Sequence, residues 1–326
     1  MDFNYRSIAD LNSAILKNLH RFPHDIDLVV GIPRSGMLAA NLIALYLNKQ
    51  YTDIDSFIDG RVYGHGKRKI DKTASRVEKI LLVDDSLVLG TSIQSALSRI
   101  KALDKQADCK TAVVFASPEG RDLVDIYCEI VPWPRFFQWN VFHHPIFVPH
   151  SYFDLDGVLC ENPPIDDDGP LYFDYISNAV PRFIPTYEID TIVTCRLEKY
   201  RTQTVDWLRK HDVKYKRLIM LALNSREERI RWGRHGEFKG SLYKDSNATL
   251  FVESSLQEAK KIVRVSHKPV FCTESFSLLT WEKEAPFFQA LGHRIRVLLW
   301  RAKMGLITYR KSIPVRRNNL LQDSNH

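Results

Sequence analysis

The sequence predicts an α/β protein with two consecutive domains, each built on a mostly parallel sheet, and a basic helical tail. Three observations predict this organisation. The length of 326 residues suggests roughly two domains of ordinary size. Apolar strand-like runs alternate with helical patterns in two successive series, and the Pro- and aromatic-rich stretch at 132–151 lies between the series. We therefore expect domains over residues 1–150 and 151–285, followed by a tail over 286–326.

Composition and charge exclude several classes of protein. The start of the chain lacks an apolar run behind a basic stretch, which argues against a secretory signal, and no stretch approaches the ~20 apolar residues of a membrane span. The five cysteines are scattered without a C-x-x-C pair, so reduced thiols are expected rather than zinc or a disulfide framework. These features predict a cytoplasmic protein.

The tail carries the whole excess of positive charge. The formal net charge is +7, and residues 286–326 contain eight basic residues and one acid. Because large apolar residues are mixed with the basic ones, the tail is typical of an amphipathic helix that contacts anionic lipid at the inner face of the cytoplasmic membrane. A helix packed on the second domain is the alternative. No nucleic-acid-binding module is recognisable, so no nucleic-acid partner is expected.

Two adjacent acids define the first candidate site. In "ILLVDDSLVLGTSI", residues 80–93, an apolar strand ends in Asp84 and Asp85, and a small-residue turn leads into a helix. Carboxylates can accept hydrogen bonds from a sugar diol, and backbone N–H groups at a helix N-terminus can bind phosphate. Ligands of parallel sheets bind beyond the carboxyl ends of the strands, which is where this pair lies.

This stretch resembles the phosphoribosyl-pyrophosphate-binding signature of type I phosphoribosyltransferases. The resemblance covers residues 20–150 and implies that Asp84 and Asp85 hold the ribose hydroxyls while the following loop holds the 5-phosphate. The loop residues concerned are Ser86, Gly90, Thr91 and Ser92. The family usually has Thr where Leu89 lies, and its purine-specific members have an acid where Val88 lies. The missing acid at Val88 argues against a purine acceptor.

Two further stretches are similar to loops of the same family. "GIPRSG", residues 31–36, follows a strand and matches the pyrophosphate loop, which implies a binding role for Arg34, Ser35 and Gly36. Arg34 is expected to face the leaving pyrophosphate. "GRVYGHGKRK", residues 60–69, lies where the family keeps a flexible basic loop that closes over the substrate.

A second pair of acids opens the second domain. In "FDLDGVLCEN", residues 153–162, Asp154 and Asp156 are spaced two apart at the end of a predicted strand, so both are expected on one face. Asp154 can attack phosphorus, and Asp156 can protonate the leaving oxygen and then activate water. Mg²⁺ is the expected cofactor because it relieves the repulsion between carboxylates and neutralises phosphate.

The stretch resembles the first motif of haloacid-dehalogenase-like phosphatases, and the resemblance covers residues 150–275. It implies that the hydroxyl of Thr194 contacts phosphate, that Lys239 steadies the nucleophile, and that Glu253 holds the metal together with Asp154 and Asp156. Lys244 is the alternative lysine. The resemblances imply a Rossmann-like fold for both domains. In the second domain, the gap between the first two motifs is too short for a large cap domain. We therefore expect a minimal cap and an open site.

The two resemblances together imply a bifunctional enzyme. The first domain would transfer 5-phosphoribosyl from phosphoribosyl pyrophosphate to a glycan acceptor linked to lipid, and the second would remove the 5-phosphate to leave ribofuranose, as in bacterial polysaccharide biosynthesis. The alternatives are a nucleobase transferase fused to a nucleotidase and a non-catalytic sensor of phosphoribosyl pyrophosphate. Family analogy also suggests a homodimer.

Overall fold

The computed structural model describes residues 3–63, 77–103, 107–164 and 169–284. These residues form two compact units, the first unit from Phe3 to Val141 and the second unit from Phe142 onward. Most of the predicted basic loop at 60–69 and the whole tail at 286–326 lie outside the described residues.

The described residues of the first unit form seven strands and four helices. Its strands are β1 (Asn4–Arg6), β2 (Leu28–Gly31), β3 (Gln50–Asp53), β4 (Lys79–Leu87), β5 (Asp108–Ala116), β6 (Ile126–Ile130) and β7 (Arg135–Phe137). Its helices are α1 (Ile8–Lys17), α2 (Gly36–Leu47), α3 (Ile54–Ile58) and α4 (Thr91–Lys101). Five strands form a parallel sheet in the order β3-β2-β4-β5-β6, and β1 pairs in parallel with β7.

The central strands of this sheet are apolar on both faces because helices cover both faces. Val29 and Leu81 pack with residues of α1 and α2, whereas Leu28 and Leu82 pack with residues of α3 and α4. Such continuous apolar runs are typical of parallel strands buried on both sides. The arrangement turns the carboxyl ends of β2, β4 and β5 toward one edge of the sheet.

The second unit contains six strands and six helices in its described residues. Its strands are β8 (Ser151–Phe153), β9 (Ile189–Leu197), β10 (Tyr215–Leu221), β11 (Leu250–Glu253), β12 (Val270–Cys272) and β13 (Ser277–Leu279). Its helices are α5 (Pro170–Asn178), α6 (Arg201–Lys210), α7 (Arg226–Trp232), α8 (His235–Lys244), α9 (Leu256–Ser266) and α10 (Trp281–Glu284). The sheet order is β10-β9-β8-β11-β12-β13, and only β13 runs antiparallel to its neighbour.

The prediction of an α/β chain with mostly parallel sheets is confirmed. One local prediction is wrong, because β8 ends at Phe153 and the acids that follow it do not belong to the strand. Gly157 has a φ of +78° and its N–H donates to the carbonyl of Cys160, so the chain turns sharply after the strand. The alternation of strand side chains therefore does not apply to Asp154 and Asp156. No described helix is long and apolar enough to span a membrane.

Candidate active sites

The acid pair of the first unit lies near the carboxyl end of β4. Asp84 is 9% exposed and Asp85 is 5% exposed. The N–H of Asp85 donates to Oδ1 of Asp84 at 2.9 Å, and the hydroxyl of Ser35 donates to Oδ1 of Asp85 at 2.9 Å. The loop after β2 and the acids of β4 are thus joined by a direct hydrogen bond.

The carboxyl group of Asp84 resists ionisation at this position. Burial, and next the charge of Asp85, raise the pKa of Asp84 to about 8. Near neutral pH the Asp84 carboxyl therefore keeps its proton for much of the time. A protonated carboxyl beside a carboxylate can both donate to and accept from vicinal hydroxyl groups, which suits a sugar diol.

The loop after the acid pair encloses a small cavity. The cavity measures about 290 Å³, and its lining includes Asp84 and every residue from Ser86 to Ile93. Gly90 has a φ of +71° and precedes the first residue of α4, Thr91. The first N–H groups of a helix have no partner within the helix, so this end attracts an anion. The structure brings Ser86, Gly90, Thr91 and Ser92 together around one cavity next to the acids.

The loop between β2 and α2 packs closely on the same acids. A Cβ atom on Gly36 would lie 2.8 Å from Oδ1 of Asp84 and 3.0 Å from its Cα, so only glycine permits this approach. Arg34 follows a cis peptide bond with Pro33, and its guanidinium donates to the amide oxygen of Asn140. Arg34, Ser35 and Gly36 therefore lie at the edge of the sheet that carries the acid pair.

The second unit holds a buried lysine between two carboxylates. Nζ of Lys239, on α8, lies 2.9 Å from Oδ2 of Asp154 and 2.7 Å from Oε2 of Glu253. Asp154 follows β8 and Glu253 ends β11, and these strands are neighbours in the sheet. Lys244, the alternative of the sequence analysis, is exposed at the end of α8.

Burial and charge act in opposite directions in this cluster. Burial and the nearby Glu253 raise the pKa of Asp154 well above its usual value, despite the neighbouring ammonium. Burial alone would lower the pKa of Lys239, but Asp154 and Glu253 outweigh it and raise that pKa. Two carboxylates share one cation, and the raised pKa of Asp154 means that a proton on this carboxyl relieves the excess negative charge, whereas the pKa of Glu253 is lowered.

Asp156 belongs to a separate network. The fully buried guanidinium of Arg196 reaches its carboxylate with Nη2 at 2.6 Å and Nε at 3.0 Å, and the hydroxyl of Tyr175 donates to it at 2.8 Å. Burial would raise the pKa of Asp156, but the ion pair with Arg196 outweighs burial and holds the pKa below its usual value. In this arrangement Asp156 is a hydrogen-bond acceptor and not a proton donor.

Two smaller contacts complete the surroundings. Thr194 is buried in β9, and its hydroxyl accepts from the N–H of Arg196 at 3.2 Å. The hydroxyl of Ser254 donates to the carbonyl of Asp156 at 3.0 Å and so ties β11 to the turn after β8. In the strand order β9-β8-β11, Thr194 lies in β9 and Glu253 ends β11, and Asp154 directly follows the strand β8 between them.

The three carboxylates expected to hold Mg²⁺ do not fit that role in this arrangement. Oε1 of Glu253 accepts from the N–H groups of Ser254 and Ser255, and its Oε2 accepts from Lys239. Asp156 is turned to Arg196. Within the described parts of the chain, no group of three or more His, Cys, Asp or Glu side chains can hold a metal.

Gly157 offers a test of the turn that separates the two acids. A Cβ atom there would lie 2.4 Å from Cβ of Ser254 at a φ of +78°, so Gly157→Ala is expected to lower the free energy of unfolding by about 3 kcal/mol. Gly233→Ala is the matched control, because Gly233 also has a positive φ but its nearest neighbour would be 3.4 Å away. That control should lose about 1 kcal/mol. Urea unfolding of both variants measures the difference, and equal losses would contradict the steric account.

Several neighbours of the predicted site residues were not predicted. Arg196 follows Thr194 by two positions in β9, and the alternation of strand side chains is a signal that points to it. Tyr175 and Asn140 have no comparable signal, because their partners are distant in sequence. Arg135, in the Pro- and aromatic-rich stretch, is 5% exposed, and an arginine in such a stretch is the only hint the sequence offers.

Comparison with known proteins identifies the first unit. Residues 4–147 match the family model of the phosphoribosyl transferase domain. The prediction of a type I phosphoribosyltransferase domain is therefore confirmed for that region. No curated protein matches the chain significantly.

Three solved structures illustrate what the chain is similar to. A purine phosphoribosyltransferase from Pyrococcus horikoshii is 18% identical, with a TM-score of 0.32 over 43% of this chain and 94% of that one. The xanthine-guanine-hypoxanthine phosphoribosyltransferase of Helicobacter pylori is 16% identical, with a TM-score of 0.34 over 43% and 95%. The orotate phosphoribosyltransferase of Aeropyrum pernix is 18% identical, with a TM-score of 0.27 over 37% and 70%.

Proposed function

Because residues 4–147 form a phosphoribosyltransferase domain, we propose that the chain is a bifunctional enzyme. The first unit transfers 5-phosphoribosyl from phosphoribosyl pyrophosphate to a glycan acceptor, and the second unit, as a haloacid-dehalogenase-like phosphatase, removes the 5-phosphate to leave ribofuranose. The observation that carries the proposal is the buried Asp154–Lys239–Glu253 cluster at the carboxyl edge of a second parallel sheet. Such a cluster on the same chain can act on the phosphate that transfer leaves behind.

In the transfer step, the first unit binds its donor along one edge of the sheet. Asp84 and Asp85 hold the ribose hydroxyls, and the cavity lined by Ser86 to Ile93 receives the 5-phosphate. As the bond between C1 and the diphosphate breaks, positive charge develops on the ribose, and the carboxylate of Asp85 stabilises it. Arg34 faces the departing diphosphate. Mg²⁺ enters as part of the donor substrate, bound by the diphosphate.

In the second step, Asp154 loses its proton to water, its carboxylate attacks the phosphorus atom, and the bond from phosphorus to the ribose oxygen breaks. The aspartyl-phosphate formed is then hydrolysed by water, which returns Asp154 and releases phosphate. Lys239 lies beside the attacking carboxylate and offsets negative charge as the phosphate approaches. The leaving ribose oxygen takes a proton from water, and Asp156 can relay that proton only after its ion pair with Arg196 opens during turnover.

The nature of the acceptor is proposed from the sequence. Val88 lies where purine-specific members have an acid, and Leu89 lies where the family usually has Thr. Both side chains are exposed in the loop that lines the cavity. The short gap between the first two phosphatase motifs favours an open site that admits a phosphate on a bulky glycan. The basic tail favours an acceptor linked to lipid at the inner face of the cytoplasmic membrane.

Asp154→Asn tests both activities in one experiment. The variant keeps the volume of the side chain but removes the nucleophile, so the transfer product should accumulate with its 5-phosphate attached. The wild-type protein should release a product lighter by one phosphate group. Mass spectrometry after incubation with phosphoribosyl pyrophosphate, Mg²⁺ and lipid-linked sugar acceptors measures the difference.

The controls separate the two units. Asp85→Asn should abolish pyrophosphate release and leave the second unit intact, as judged by hydrolysis of ribose 5-phosphate. Recovery of fully dephosphorylated product from Asp154→Asn would refute the role of Asp154. Turnover only with free nucleobases would show that the acceptor is a nucleobase and not a glycan. If phosphoribosyl pyrophosphate binds but no acceptor causes pyrophosphate release, the chain is a non-catalytic sensor.

A further inference from the structure

Arg135 is a buried cation without a carboxylate partner among the described residues. Arg135 is the first residue of β7 and is 5% exposed. Nη1 reaches two main-chain carbonyl oxygens at long distances, 3.4 Å to Phe115 and 3.3 Å to Val131, and the guanidinium lies 5.6 Å from the ring centroid of Phe137. Burial of a guanidinium is unfavourable unless an anion compensates it.

The electrostatic state of Arg135 agrees with these contacts. Burial lowers the pKa of the guanidinium, and the charges of Asp85 and Glu119 oppose this shift without cancelling it. An arginine remains protonated in spite of such a shift, so a positive charge stays in place with weak acceptors only. A bound anion would supply what the described residues do not.

The order of the strands places Arg135 on one particular side of the acid pair. β4, with Asp84 and Asp85, lies between β2 and β5 in the sheet. Arg34 is in the loop after β2, whereas Arg135 contacts the carboxyl end of β5 and the residue after β6. The two arginines therefore flank the acids that are proposed to hold the ribose.

The reaction at C1 of the ribose has a leaving group on one side and an acceptor on the other, so the sides of the acid pair near Arg34 and near Arg135 have different roles. In a displacement the acceptor approaches C1 from the side opposite to the leaving group. Since the leaving diphosphate is proposed to face Arg34, the acceptor approaches from the side of Arg135. Asn140, on the same short segment as Arg135, holds Arg34, so this segment contacts both sides.

We infer that Arg135 binds an anionic group of the acceptor, and that the acceptor therefore carries a carboxylate or a phosphate close to its reacting atom. This inference rests on the transfer activity proposed above and specifies its substrate class. Neutral nucleobases and neutral sugars fall outside that class. A guanidinium can hold a carboxylate or a phosphate with two parallel hydrogen bonds, so both sources of the anion suit it.

The test uses pairs of acceptors that differ by one anionic group. The full-length protein is incubated with phosphoribosyl pyrophosphate and Mg²⁺ plus uracil or orotate, and plus glucose or glucose 1-phosphate, and pyrophosphate release is followed. In one of the two pairs, kcat/KM for the anionic acceptor should be at least about 10-fold higher than for the neutral one. Arg135→Met should lower kcat/KM for that anionic acceptor by about 10- to 100-fold. Which pair responds distinguishes a carboxylate from a phosphate.

Further variants keep the result interpretable. Arg135→Lys retains a charge and should keep part of the preference, which shows that the site is still folded. Arg121→Met removes an exposed arginine of the same unit and should change nothing. The Kd for phosphoribosyl pyrophosphate should stay within about twofold in every variant. If no acceptor turns over, the same preference is measured as binding to the donor complex by calorimetry.

Two outcomes would overturn the inference. One is equal use or binding of the neutral and anionic members of both pairs by the wild-type protein. The other is an unchanged preference in Arg135→Met. Failure of the wild-type protein to bind phosphoribosyl pyrophosphate at all would instead refute the proposed function, and that measurement is independent of the acceptor.

Discussion

Lys239→Met is expected to lower the free energy of unfolding of the second unit by about 3–5 kcal/mol and to abolish dephosphorylation. The substitution removes the only cation within ion-pair distance of Asp154 and Glu253 among the described residues, and both carboxylates are buried. Breaking a buried ion pair from one side leaves an uncompensated charge in a poorly solvated place. Urea unfolding and phosphate release from ribose 5-phosphate measure the two effects.

Lys244→Met is the matched control for this prediction. Lys244 is on the same helix but exposed, so its loss should change stability by less than about 0.5 kcal/mol and leave phosphate release intact. The loss in free energy of unfolding caused by Lys239→Met should also become smaller as the pH falls from 8 to 5, because the two carboxylates can then take up a proton. Equal effects of the two substitutions would contradict the assignment of Lys239 to the cluster.

Asp84→Asn is expected to stabilise the first unit above neutral pH. The pKa of Asp84 is about 8 in the folded protein and has its usual value of 3.8 when unfolded. Between these values the unfolded chain has released a proton that the folded chain retains, so the stability of the wild-type protein falls as the pH rises from about 4 to about 8. The variant lacks this dependence, and its advantage at pH 8 should be roughly 2–5 kcal/mol.

The measurement is the free energy of unfolding at several pH values from 4 to 9. The transition that changes between wild type and Asp84→Asn belongs to the first unit, since the two units can unfold separately. Asp122→Asn, at an exposed acid of the same unit, should give the wild-type pH dependence. A constant difference between Asp84→Asn and wild type across this range would show that Asp84 ionises normally in the folded protein.

The strands that carry the sites were predictable because each is an apolar run that ends in polar residues. The predicted run at 79–86 nearly coincides with β4, and that at 189–196 with β9. The short strands β1, β3, β6, β7 and β13 were not predicted, because each mixes polar and apolar residues without a clear alternation. The positions of β1 and β7 depend on their pairing with each other across a long stretch of sequence.

The partners of the site residues were harder to predict than the residues themselves. The spacing of Asp154 and Asp156 suggested one shared face, but the strand ends before them and the turn at Gly157 separates their networks. Arg196 then pairs with Asp156 across 40 positions of the chain. A sequence pattern reports what lies on one element, whereas such a pair depends on how elements pack.

The pairing of β1 with β7 has a practical consequence for anyone who produces this protein. The N–H of Asn4 donates to the carbonyl of Pro134 at 2.8 Å, and Asn4 lies opposite Arg135 in the ladder. The backbone that carries Arg135 is thus fastened by residues 4–6. An affinity tag fused at residue 1, or protease trimming past residue 6, would act on the strand that pairs with Arg135, the residue proposed to bind the acceptor, so variants made for activity assays should carry no tag there.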